Sequence, residues 1–226
     1  MRMARFVLAF VLMAASASPS RAAPRWGVAG FGGFQTYAMQ DVTDAIDEAG
    51  GLFGSPDVVL VNNIENGLSS GAGVRALLSP KLGLALDYER LSGHSDLSQG
   101  GAGNIHFGVS ANVYSLTASY SPWRAGSSRV GLSAGIGLYD SHASANEDVP
   151  YAAVDRDLSY SGSDLGLHVM AGDDIRLSPQ LRLEMAAGYR WAKVDAGLPQ
   201  GSGQIDWSGF ASRLGLAWFP KGVLAH

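Results

Sequence analysis

The chain has 226 residues, 16 basic against 20 acidic side chains, a formal net charge of −4, 30 glycines and no cysteine. The acidic balance excludes the basic footprint that nucleic-acid binding requires. The missing cysteines exclude disulfides, thiolate chemistry and cysteine-based metal sites, and the length suits one domain.

The chain opens as an export signal. Arg2 and Arg5 precede the apolar run Phe6–Ala15, and small residues follow. Ala15-Ser16-Ala17 and Ser20-Arg21-Ala22 both offer cleavage sites; we assign residues 1–22 to the signal peptide and 23–226 to the mature domain. The apolar run is too short for a transmembrane helix, which takes about 20 residues, and a buried N-terminal helix is the alternative reading. Removing Arg2, Arg5 and Arg21 makes the mature chain more acidic still.

Beyond the signal, alternation and turn punctuation predict eight strands: Trp26–Tyr37, Gly67–Leu78, Leu82–Leu91, His106–Tyr120, Val130–His142, Ser163–Leu177, Leu181–Val194 and Asp206–Phe219. Each is long enough to cross a bilayer as a tilted strand of about 9–11 residues. Between the first two, Asp41–Ala49 predicts a short helix capped by Asp41 and ended by Gly50-Gly51. Its loop carries Asp41, Asp44, Asp47, Glu48, Asp57 and Glu65 and no basic residue. Val58–Val61 either continues the second strand or packs under that helix. In the third strand, Leu82, Leu84, Leu86 and Tyr88 oppose Gly83, Ala85, Asp87 and Glu89. In the fourth, the apolar set changes parity between Ala111 and Tyr114, which predicts a bulge near Asn112 or Val113. The fifth sets Leu132, Ala134, Ile136 and Leu138 against Gly131, Ser133, Gly135 and Gly137. In the seventh, Leu181, Leu183, Met185, Ala187, Tyr189 and Trp191 share one face. In the eighth, Phe210, Leu214, Leu216 and Trp218 do.

The second face is mostly Gly, Ala and Ser with sparse, mixed charges, and lysine is nearly absent from it. A water-facing sheet carries more charge. Apolar residues outside and small or paired polar ones inside describe a narrow membrane barrel. The connections alternate in the same way. Ser79-Pro80-Lys81 and Ser178-Pro179-Gln180 are short and Ser121–Arg129 is of medium length; 38–66, 92–105, 143–162 and 195–205 are long, matching short periplasmic turns and long extracellular loops. Aromatic girdles are expected at both interfaces: Trp26, Tyr120, Trp123, Trp218 and Phe219 below, and Tyr37, Tyr88, Tyr139, Tyr189, Trp191 and Trp207 above.

The terminal run Leu214-Gly215-Leu216-Ala217-Trp218-Phe219 resembles the C-terminal assembly signal of outer-membrane barrels, although seven residues follow Phe219 here. With the strand count and loop rhythm, the mature chain resembles the small OmpA/OmpX/OmpW-type eight-stranded outer-membrane barrel superfamily across nearly its whole length. The resemblance implies an all-β, eight-stranded antiparallel up-and-down transmembrane barrel with a short helix in the first extracellular loop. It implies a bacterial outer-membrane location, termini in the periplasm, contact with outer-membrane lipid and lipopolysaccharide, and help from the barrel-assembly machinery. No cofactor is expected, and the expected state is a monomer.

Candidate functional residues follow from these faces. Arg75, Asp87, Glu89, Arg182, Glu184, Arg190 and Arg213 should point inward, where opposite charges must meet because buried unpaired charge is costly. Similar barrels use such a network to plug or gate the lumen; filling an inert barrel is the simpler role. His168 should be a hydrogen-bonded lumen filler. Asp140-Ser141-His142-Ala143-Ser144 places His142 and Ser144 on one face at the outer end of the fifth strand. His-x-Ser resembles the dyad of lipid A deacylase barrels, but the residues after it do not match. The reading is a structural or surface-interaction protein, with a narrow gated channel and a lipid A-modifying enzyme as alternatives.

Overall fold

The computed structural model describes residues 24–39, 58–60, 66–99, 103–148, 157–196 and 203–220. The signal segment, the predicted loop helix and most of the acidic first loop lie outside them.

Eight long antiparallel strands form one closed sheet: β1 (Arg25–Thr36), β2 (Asn66–Leu77), β3 (Leu82–Gln99), β4 (Gly103–Ala125), β5 (Ser128–Asp148), β6 (Asp157–Arg176), β7 (Leu181–Trp191) and β8 (Gly209–Trp218). Each pairs with its neighbours in sequence, and β1 pairs with β8 to close the ring. Closure leaves no sheet edge along the barrel wall.

Three tight turns mark one end, here called the turn end. Two share one design: Ser79 Oγ accepts from the backbone N–H groups of Lys81 (3.2 Å) and Leu82 (3.0 Å), and Ser178 Oγ does the same for Gln180 (3.2 Å) and Leu181 (3.0 Å). In each, proline in the second position fixes the backbone angle on which the turn depends. The third turn, between β4 and β5, is made at Gly126, whose φ of 59° favours glycine.

At the opposite, loop end, the strands run further than the alternation predicts. β3 to β6 have 18, 23, 21 and 20 residues, against 10 to 12 in the other four. Most of the segments 92–105 and 143–162, expected as loops, are therefore strand. The short strand Val58–Leu60 pairs with Leu97–Gln99 of β3, rather than extending the second strand. Past Trp191, Lys193–Asp195 and Gln204–Asp206 form a small separate hairpin.

The predicted bulge in β4 is not at Asn112 or Val113. The β3–β4 register runs without a break from Leu82–Tyr120 to Gln99–Gly103, and the one irregularity on the other side lies between Tyr120 and Trp123. The parity change has a different cause. Through Tyr114, the outward side chains of β4 are apolar and the inward ones are Ser115 and Thr117. Above it, Val113, Ala111 and Val109 point inward and are buried, while Asn112 and Ser110 point outward. The strand stays in phase, and its surroundings invert.

The same inversion occurs on three neighbours. Tyr88, Tyr114, Leu138 and Leu165 are paired across β3 to β6 as the last apolar outward row; Arg90, Asn112, Asp140 and Ser163, paired one step higher, form the first polar row. Below the step the sheet is apolar outside. Above it the sheet is polar outside and apolar within, like a soluble protein. On β5 the apolar outward stretch runs from Val130 to Leu138, which at about 3.4 Å per residue and a tilt of about 40° spans roughly 20–25 Å, the height of an outer-membrane belt. So large an exposed apolar surface requires an apolar environment.

Candidate functional site

The described side chains occupy most of the interior. At the turn end, Phe219 is 1% exposed, its backbone N–H donates to Gln180 O (2.7 Å), and its ring lies 5.3 Å from the Arg182 guanidinium and 5.7 Å from that of Arg25. Gly27 makes room for it, since a Cβ there would lie 2.7 Å from the ring. Phe219 thus belongs to the lumen floor, not the lower girdle. The outward row of β8 is Leu214, Leu216 and Trp218, so the next residue must face in.

Above the floor, Arg182 Nη1 contacts Asp174 Oδ2 at 2.6 Å. Next, Arg75 sits between two carboxylates. Its Nε contacts Glu184 Oε2 at 3.0 Å and Oε1 at 3.2 Å, and its Nη1 pairs with Asp87. Arg213 reaches the other oxygen of Asp87 at 3.3 Å, and its guanidinium lies 5.2 Å from the Phe31 ring. One step further along β3, Glu89 meets Arg190 at 2.7 Å, and Gln35 bridges the pair. It donates to Glu89 Oε1 (2.8 Å) and accepts from Arg190 Nη1 (2.6 Å). His168 is buried beside Thr117, with Nε2 2.9 Å from Oγ1. The structure therefore places all seven of Arg75, Asp87, Glu89, Arg182, Glu184, Arg190 and Arg213 in interior ion pairs, in three groups, with Asp174 completing one and Gln35 another. Asp174 falls on the same face by parity. Gln35 carries no charge, and the glycine-rich β1 gives its facing no sequence signal.

The upper interior is apolar. Leu91, Val109, Ala111, Val113, Tyr139, Ala143, Val194, Ile205 and Trp207 form a buried cluster. Trp207 donates from Nε1 to Ser141 Oγ (2.9 Å), and the Tyr37 ring meets it edge-on at 4.9 Å. The Tyr139 ring lies 5.6 Å from Arg190, joining the charged layer to the apolar one. Gly166 leaves the space this ring occupies, because a Cβ there would lie 2.5 Å from it. Tyr37, Tyr139 and Trp207 are therefore core residues, not members of the upper girdle. Tyr139 follows Leu138, which faces out, so parity alone puts it inside. Tyr88, Tyr114, Tyr189 and Trp191 do lie on the outer side, in pairs 5.4 and 4.8 Å apart.

His142 and Ser144 share the outer face of β5 above the apolar belt. The nearest acid contact of His142 is Asp140 at 3.8 Å, and both side chains are about half exposed. Among the described residues no buried carboxylate contacts His142, the orienting group on which a triad histidine depends.

A major outer membrane protein from Thermus thermophilus has a similar structure, with 15% identity and a TM-score of 0.53, matching 86% of this chain and 99% of that one. The fold is that of the small outer-membrane barrels. Neisserial surface protein A (13% identity, TM-score 0.48) and Ail, the attachment invasion locus protein of Yersinia pestis (11%, 0.48), each match over 87% of this chain and 99% of their own. No protein-family model matches the sequence, and no curated protein does.

Proposed function

We propose that this is a bacterial outer-membrane barrel with a closed lumen, whose work is structural or takes place at its extracellular surface. The observation that carries this reading is the apolar layer across the upper interior. The polar path past Arg75, Glu89 and Arg213 ends at Leu91, Val113, Tyr139 and Trp207, all at most 1% exposed. Ions do not cross a tightly packed apolar layer without dewetting costs. The polar wall of β3 to β6 above the belt supplies a rigid surface for contact with lipopolysaccharide or a partner, and the resemblance of the terminal strand to an assembly signal supports insertion by the barrel-assembly machinery.

In this reading the turn end faces the periplasm, with both termini, and the barrel is monomeric and non-enzymatic. The test is single-channel recording of refolded protein in a planar bilayer, with Arg213→Ala alongside and heat-modifiable gel mobility as the check on folding. A silent bilayer from folded barrels is expected. Discrete openings that change in the variant would replace this reading with that of a gated channel. Mass spectra of lipid A incubated with wild type and His142→Ala should be identical; a wild-type mass change lost in the variant would make it an enzyme.

A further inference from the structure

The floor of the barrel is not solid. Between Phe219 and the Arg75–Glu184–Arg213 layer lies a cavity of about 130 Å³ at the turn end, lined by charged and hydroxyl side chains among apolar ones. That is room for several waters or one small solute. The apolar cluster closes the barrel above, so the cavity is a blind pocket reached from the turn end.

Its chemistry is lopsided. Among the arginines that point inward, Arg75, Arg182, Arg190 and Arg213 each contact a carboxylate within 4 Å. Arg129, at the pocket wall, has no carboxylate within that distance among the described residues. Asp174 faces it across the β5–β6 ladder; its Oδ2 is committed to Arg182, and its Oδ1 is buried without a hydrogen-bond partner. Asp173, beside it, has both oxygens engaged by Ser128 Oγ, and one also takes the Arg129 backbone N–H. Glu184 is held by Arg75. The other polar groups on the wall are largely hydroxyls: Ser119 and Ser133, directly paired across β4 and β5, and Ser121. Around this mouth, Arg182, Arg124 and Arg25 act electrostatically on Arg129, opposed by Asp174. On the wall itself Arg75, Lys81, Arg129 and Arg213 stand against Asp173, Asp174 and Glu184, so positive charge is in excess.

We infer that this pocket binds a phosphate-type oxyanion, with Arg129 as the charged anchor and Ser119, Ser121 and Ser133 as hydroxyl donors. A guanidinium fork matches the oxygens of a phosphate, and the surrounding cations raise the local anion concentration. The oxyanion comes either from a free solute or from the headgroup of an anionic lipid at the rim. The inference does not depend on whether the lumen conducts.

The experiment is calorimetric titration of the refolded barrel in maltoside micelles, with inorganic phosphate in one arm and short-chain phosphatidylglycerol in the other. Arg129→Gln, Arg90→Gln on the distant outer face, and the Ser119→Ala/Ser133→Ala double variant are run beside the wild type. Saturable binding in either arm, weakened at least tenfold by Arg129→Gln and no more than about twofold by Arg90→Gln, is the expected result. The serine double variant, which removes no charge and keeps the fold testable, should weaken it several-fold. Binding in the first arm alone identifies a free solute; binding in the second alone identifies a lipid headgroup. No saturable binding in either arm, or equal binding by wild type and Arg129→Gln, overturns the proposal.

Discussion

The Tyr88 hydroxyl donates a 2.9 Å hydrogen bond to Asn112 Oδ1, tying the last apolar row of the outer face to the first polar row. Tyrosine suits this step, with its ring against the belt and its hydroxyl at the wet side. The bond marks the height at which the sheet exchanges lipid for water.

Charge should be tolerated on one side of that step and not on the other. Leu132→Arg, within the belt of β5, should cost about 2–4 kcal/mol of insertion stability, while His142→Arg, above it, should stay within about 0.5 kcal/mol of wild type. Urea titration of folding into lipid vesicles measures both. Equal costs would mean that the belt has been misplaced.

The Glu89–Arg190 pair should be far costlier to break than to remove. Arg190→Met leaves Glu89 buried and unpaired, and should destabilise by about 3–5 kcal/mol. Adding Glu89→Met should recover most of that loss. The same denaturant titration checks the cycle, and a double variant as unstable as the single one would refute it.

Trp207 should act as part of the seal. Trp207→Ala removes a buried ring that packs on Tyr37 and binds Ser141, a loss of about 3–5 kcal/mol for a core truncation of this size. If the apolar cluster closes the barrel, the folded variant should also show small, brief conductance steps where the wild type is silent. Silence from both proteins would place the barrier elsewhere in the lumen.

The absence of native cysteine makes orientation measurable. Ser144→Cys should react with a membrane-impermeant maleimide on intact cells, and Lys81→Cys only after the outer membrane is opened. The reverse pattern would place the tight turns outside.

Much of this architecture is legible in the sequence. Period-two alternation marks the strands, the Ser-Pro turns separate two pairs of them, and the sparse charges on the small-residue face name most of the ionic layer. What alternation does not supply is the medium on each side of the sheet. In β4 the change from Tyr114 and Leu116 to Val113, Val109 and Ala111 reads as a slipped register if one face is assumed apolar throughout. It is a continuous strand leaving the belt. The same assumption puts Tyr139 and Phe219 in the girdles. The partners within the network are equally hidden, because Arg75 meets Glu184 across the ring, 109 residues away in sequence.

The pairing of β1 with β8 also has a history in time. The first strand of the barrel must wait, with one row of its backbone groups unsatisfied, until the last strand has been synthesised and delivered. Until that moment Arg75 and Glu184 stand on widely separated strands of an open sheet, and no ring exists across which they can neutralise one another. The Arg75–Glu184 and Glu89–Arg190 pairs, which span the ring, therefore reward only the finished cylinder, whereas Arg75–Asp87 and Arg182–Asp174 join neighbouring strands and do not wait for it to close.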